Sequence, residues 1–180
     1  VIDCAIDAVT AILAAPVTGV AALLPIVPRR AGETLPTTVT VVSDLDNGES
    51  ARDVAVQPPA GTVVLQVGES DQVAILTQQG HFPVPPDVRC ELIVRITLAP
   101  TGTQPERRRI AALIVRAVLR SLRLAFEAQG PPLIVRSCKL LTWDSTQLFP
   151  TFTPPGTSEV GVALLLSLTL RDHFTNTGAV

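Results

Sequence analysis

The sequence predicts an α+β fold: a mixed or mainly antiparallel sheet, a long helix packed across one face of it, and a short N-terminal helix. Three observations carry this. Residues 105–129 keep a helical apolar pattern between a start signal and a Gly130-Pro131-Pro132 stop. Residues 88–98 and 159–171 alternate large apolar side chains with polar or smaller ones, the period of a strand with one buried face. The helical stretch lies between the two strand regions, which gives a β-α-β-β order.

The 180 residues suit one domain spanning 1–180, with 1–28 as an N-terminal helical segment, 143–158 as an interface loop and 173–180 as a loose tail. A hydrophobic content of 47% supplies a sizeable core, and a net charge of −2 exerts no general pull on nucleic acid or anionic membrane. Three cysteines, Cys4, Cys90 and Cys138, are far apart and show no metal-ligand spacing, so reduced thiols are expected. No basic run opens the chain, so a signal peptide is not expected. Residues 8–28 are apolar but contain Pro16, Pro25 and Pro28, which argues for a buried helix and connector, not a bilayer span.

The first element, 1–15, places Ile2, Ile6, Val9, Ile12 and Leu13 at helical spacing, and Pro16 ends it. Residues 17–27 fit a short helix or a strand, and 28–36 a loop. The β-branched run 37–42 reads as a strand. Asp44 to Glu49 carries an Asn-Gly turn signal across which 54–56 could pair back. This acidic turn fails as a calcium loop: counted from Asp44, its sixth and twelfth positions hold Glu49 and Ala55 where glycine and glutamate are needed. Residues 62–67 and 72–77 flank Gly68-Glu69-Ser70-Asp71 as a candidate hairpin. In the strand 88–98, Cys90, Leu92, Val94 and Ile96 form the inner row, and Glu91, Ile93 and Arg95 belong to the outer one.

The long helix starts with Thr103 as N-cap and Glu106 three residues on. Ile110, Leu113, Ile114, Ala117, Val118, Leu124 and Ala125 share one side, and Val115, Leu119, Leu122 and Phe126 widen the apolar surface past half the circumference. A single sheet cannot cover that much, so a second helix or a neighbouring subunit is expected on it. Arg109, Arg116, Arg120, Arg123 and Glu127 form a narrow stripe opposite. A strand over 133–142 follows, then the aperiodic stretch 143–158, then the last strand, 159–171.

Reaction chemistry is hard to find. His81 and His173 stand in a proline-rich loop and near the tail, without a nucleophile elbow, a zinc-protease motif or a phosphate-binding loop. Enzymatic activity, cofactors and metals are therefore not expected. Two groups suit interaction instead. The arginines at 109, 116, 120 and 123 suit a subunit interface or a DNA-lined lumen, since the guanidinium fork pairs with carboxylate and phosphate alike. Trp143, Phe149 and Phe152 are half of the six aromatic residues and fall on one stretch, candidates for docking a partner.

The run VRCELIVRITLAP, the helix PERRRIAALIVRAVLRSL, the strand LIVRSCKLLTWD, a Phe-Pro loop and the strand VGVALLLSLTLRDHF together resemble the tail terminator proteins of long-tailed bacteriophages. The resemblance covers mainly residues 88–174 and lies in element order and hydrophobic texture. It implies a virion structural protein, assembled in the host cytoplasm, that forms a ring, usually a hexamer. Such a ring ends tail-tube polymerisation and joins the head connector, so its partners would be further copies of itself, the tail-tube protein and a connector or stopper protein. It also implies no enzymatic activity and no cofactor, with at most non-specific contact with DNA in the lumen and none with membrane. Another neck or tail-tube component, or a small-ligand binding module with an apolar pocket between helix and sheet, remain alternatives.

Overall fold

A computed structural model of the chain describes residues 2–44, 58–70, 74–75, 87–99, 102–129, 133–135, 139–152 and 161–172. Among them the fold is α+β. Helix α1 (Ile2–Ala14) buries Cys4, Ala5, Ile6, Val9 and Leu13, the i, i+3, i+4 face that its sequence spacing dictates. Past Pro16 the backbone turns so tightly that a Cβ on Gly19 would lie 2.3 Å from the Ala15 carbonyl oxygen. That close approach lets a one-turn helix, α2 (Val20–Leu23), fold back and continue into a 3-10 turn at Leu24–Ile26. The ambiguous stretch is thus helical, with Val20, Leu23, Leu24 and Val27 buried.

Among the described residues seven strands form one mixed sheet: β1 (Thr38–Ser43), β2 (Thr62–Glu69), β3 (Ala74–Ile75), β4 (Asp87–Leu98), β5 (Leu133–Val135), β6 (Lys139–Phe152) and β7 (Gly161–Asp172). Their order is β1-β2-β4-β7-β6-β5, with β3 also paired to β4. Of these pairings β1 with β2 is parallel and the others are antiparallel.

Three sequence expectations change here. The hairpin across 68–71 is absent: β2 runs straight through Gly68, which pairs with Ile93 of β4, and the short β3 lies on β4 too. Gly68 reads as a turn residue in sequence, but here the Asp44 carboxylate occupies the space a Cβ would need. The single strand expected over 133–142 is two, β5 and β6, paired antiparallel with Leu133 opposite Leu141. The loop expected from Trp143 is strand as far as Phe152, paired with β7. Register shifts between Trp143 and Ser145 and between Phe149 and Phe152 break the two-residue period, which is why this strand shows no alternation in sequence. The proposed pairing of 54–56, both histidines, Cys138 and the tail lie outside the described residues.

Helix α3 (Gln104–Gln129) runs back along the sheet, about 39 Å at 1.5 Å per residue. Thr103 precedes it as N-cap: the Thr103 N–H donates to Glu106 Oε2 at 2.7 Å and its hydroxyl donates to the same oxygen at 2.9 Å. Leu113, Ile114, Val115, Ala117, Val118, Leu122 and Phe126 are buried. They meet the inner rows of the sheet, Val63, Leu65 and Val67, then Cys90, Leu92, Val94 and Ile96, then Leu164, Leu166 and Leu168, in one core. The apolar surface beyond the reach of the sheet is covered by α1 and α2 of the same chain, which both pack on α3. Ser121 Oγ ties the two long helices together by donating to the Ile12 carbonyl at 3.1 Å.

Candidate functional site

The candidate residues lie on two elements, α3 and β6. Arg109, Arg116, Arg120 and Arg123 are all exposed on α3. Arg123 Nε donates to Glu127 Oε1 at 2.7 Å, one helical turn on, and this contact raises its pKa further. Arg116 and Arg120 have no ion pair with a described residue. Like charges at i, i+4 on a helix cost about 0.2–0.5 kcal/mol, so Arg116 and Arg120 do not sit together for the helix's own sake. The rigid rod holds them as a fixed cationic edge.

Trp143 is placed otherwise than an exposed anchor would be. Its ring lies 5.9 Å from that of Phe126 with planes tilted by 43°, so it wedges the end of α3 onto β6. Its Nε1–H donates to Thr146 Oγ1 at 2.8 Å and to the Ser145 carbonyl at 3.2 Å. Trp143 is half-buried and belongs to the margin of the core. The backbones of Phe149 and Phe152 lie on β6; their side chains are outside the described residues. On the same strand Leu148 is 51% exposed, an apolar side chain that the helices leave uncovered.

Two features carry no periodic signal and went unseen in sequence. The first is the pair of sheet margins. Strand β6 has 14 residues, yet β5 pairs only with Lys139, Leu140 and Leu141, so among the described residues the rest of that edge has no neighbouring strand. At the opposite margin β1 pairs, among the described residues, with β2 alone. The second is a polar cluster on the face of the sheet away from the helices. Asp44 accepts from Gln66 Nε2 at 2.5 Å and lies 3.8 Å from Arg95. Gln66 and Arg95 are direct cross-strand partners, so the register itself brings these groups together. Asp44, the first residue of the acidic turn, is thus held by structural contacts.

At the end of the sheet where α3 begins, a cleft of about 470 Å³ lies between the 30–36 loop, the start of β2, the end of β4 and the first turns of α3. Leu35, Leu98 and Ile110 line it together with Arg30, Arg107, Arg109, Glu33 and Glu106. The buried Cys90 thiol is pushed up to about 11 by desolvation first and by the charge of Asp144 second, so it stays protonated and inert at neutral pH. Among the described residues no group of His, Cys, Asp and Glu could hold a metal ion, and no helix is long and apolar enough to cross a membrane. Comparison with known protein families and with characterised proteins found no match to this chain.

Proposed function

We propose that the chain is a structural subunit of a long-tailed phage virion that closes into a ring at the head-proximal end of the tail, stops growth of the tail tube and offers a surface to the head connector. The observation that carries the reading is the pair of open sheet margins. A ring needs two different, complementary patches on opposite flanks of each subunit. Among the described residues the edge of β1 and most of the edge of β6 have no further strand and lie on opposite flanks of the sheet, and unpaired strand edges are ready templates for a neighbouring chain. The cationic edge of α3 adds a charged surface for carboxylates of a neighbour or for phosphates in a lumen.

The apolar breadth of α3 no longer argues for a neighbouring subunit, because α1 and α2 already cover it. What supports assembly is the margins, the arginines and an element order in the sequence that resembles that of tail terminators.

Light scattering across concentration, with electron micrographs of the same sample, tests the reading. Closed rings, alone or after addition of purified tail tubes, are expected. Long tubes would point instead to a tube component, and a monomer that ignores tube tips would end the virion reading. Replacing Arg116 and Arg120 by Glu is expected to reduce ring formation at least tenfold in concentration while circular dichroism stays unchanged. Unaltered assembly would remove the α3 stripe from the mechanism.

A further inference from the structure

Three glycines of the described chain adopt positive φ: Gly32 at 86°, Gly61 at 77° and Gly102 at 84°. They come from separate loops, yet all three line the same cleft beside the start of α3. Turns that only glycine makes easily therefore shape its walls on three sides. Its volume of about 470 Å³ exceeds what an inorganic ion fills and lies in the range of small-molecule sites. Leu35, Leu98 and Ile110 supply an apolar part of the lining, and Arg30 and Arg109 a cationic part.

The charges of the lining are unequally engaged. Glu33 Oε2 accepts the backbone N–H of Arg30 at 3.0 Å. Glu106 Oε2 accepts both the N–H and the hydroxyl of Thr103, which lowers its pKa, with Arg109 adding a weaker pull in the same direction. Both carboxylates are thus committed to the chain's own turns. The guanidinium groups of Arg30 and Arg109 make no ion pair with any described residue.

We propose that this cleft binds a small amphipathic anion, its apolar body against Leu35, Leu98 and Ile110 and its oxyanion held by Arg30 and Arg109. A carboxylate or a phosphate ester satisfies the same chemistry, because the planar guanidinium takes either in a bidentate pair. The site is independent of ring formation: it rests on one chain and stands whether or not the subunits assemble.

The test is a titration of protein labelled with 15N-glycine, followed by TROSY spectra, with hexanoate, phenyl phosphate and uncharged 1-hexanol as probes. Saturable shifts confined to Gly32, Gly61 and Gly102 are expected with one or both anions, and the stronger of the two identifies the headgroup. Hexanol is expected to bind at least about tenfold more weakly, and an Arg30→Gln/Arg109→Gln variant to lose about tenfold for the anion while its other glycine signals stay in place. Equal binding of hexanol and hexanoate by the unaltered protein overturns the proposal, as does the absence of saturable shifts at millimolar anion. Undiminished anion binding by a folded double variant overturns it as well.

Discussion

At the scale of single residues, the chain repeatedly uses one side chain to fix another. Asp44 leaves the end of β1 and places its carboxylate over Gly68, within reach of Gln66 and Arg95. A methyl group at position 68 would strike that carboxylate, so Gly68→Ala is expected to cost about 1–3 kcal/mol in urea unfolding. In an Asp44→Ala background the same change should cost much less; equal costs in both backgrounds would show that the two residues are not coupled. The pKa of Glu106 is lowered in the folded chain, by the Thr103 N–H first, then the Thr103 hydroxyl, then Arg109. Its contribution to stability is therefore complete above the ordinary carboxylate range and lost as pH falls through the lowered folded value. The unaltered protein should lose more stability than Glu106→Gln between about pH 5 and 3, as followed by thermal melts, and parallel pH profiles would refute this.

Elements differ in how plainly sequence announces them. Helices α1 and α3 and strands β4 and β7 were legible because each buries one regular row of side chains, so burial writes its period into the sequence. Strand β6 was not, because two register shifts change which face its side chains meet. The strand expected over 62–67 is β2, but it runs on to Glu69 where a turn is expected: Gly-Glu-Ser-Asp is turn chemistry in isolation, and only a residue 24 positions earlier, Asp44, explains the glycine. The stripe on α3 was legible as a helical row of charge. The cleft was not, since its lining comes from four separate segments with no shared spacing. Val118, fully buried in α3, tests the helix–sheet layer directly. Val118→Asp places an unpaired charge in the core and should cost at least about 4 kcal/mol, enough to leave little folded protein at 25 °C. A cooperative melt close to the unaltered one would mean the layer is looser than its packing indicates.

The molecule as a whole is polar in its architecture. One face of the sheet carries all three helices, and the core lies between these two layers. The other face carries the Asp44, Gln66 and Arg95 cluster. Both margins end in strands without a further partner among the described residues. Stability is thus concentrated between these two layers. Under the proposed ring, loss of assembly and loss of folding should separate: changes to the exposed arginines act on the first, changes to buried apolar residues on the second.

Strand β7 stands last among the described strands in sequence and between β4 and β6 in space. A ribosome must therefore release residues 161–172 before the two halves of the sheet can join. Until then β4 and β6 both lack the strand that separates them, and a nascent chain shows more unpaired edge than the finished one. Strand β7 works as a keystone: until residues 161–172 have been made, the described sheet stays in two parts, β1-β2-β4 with β3 and β6 with β5.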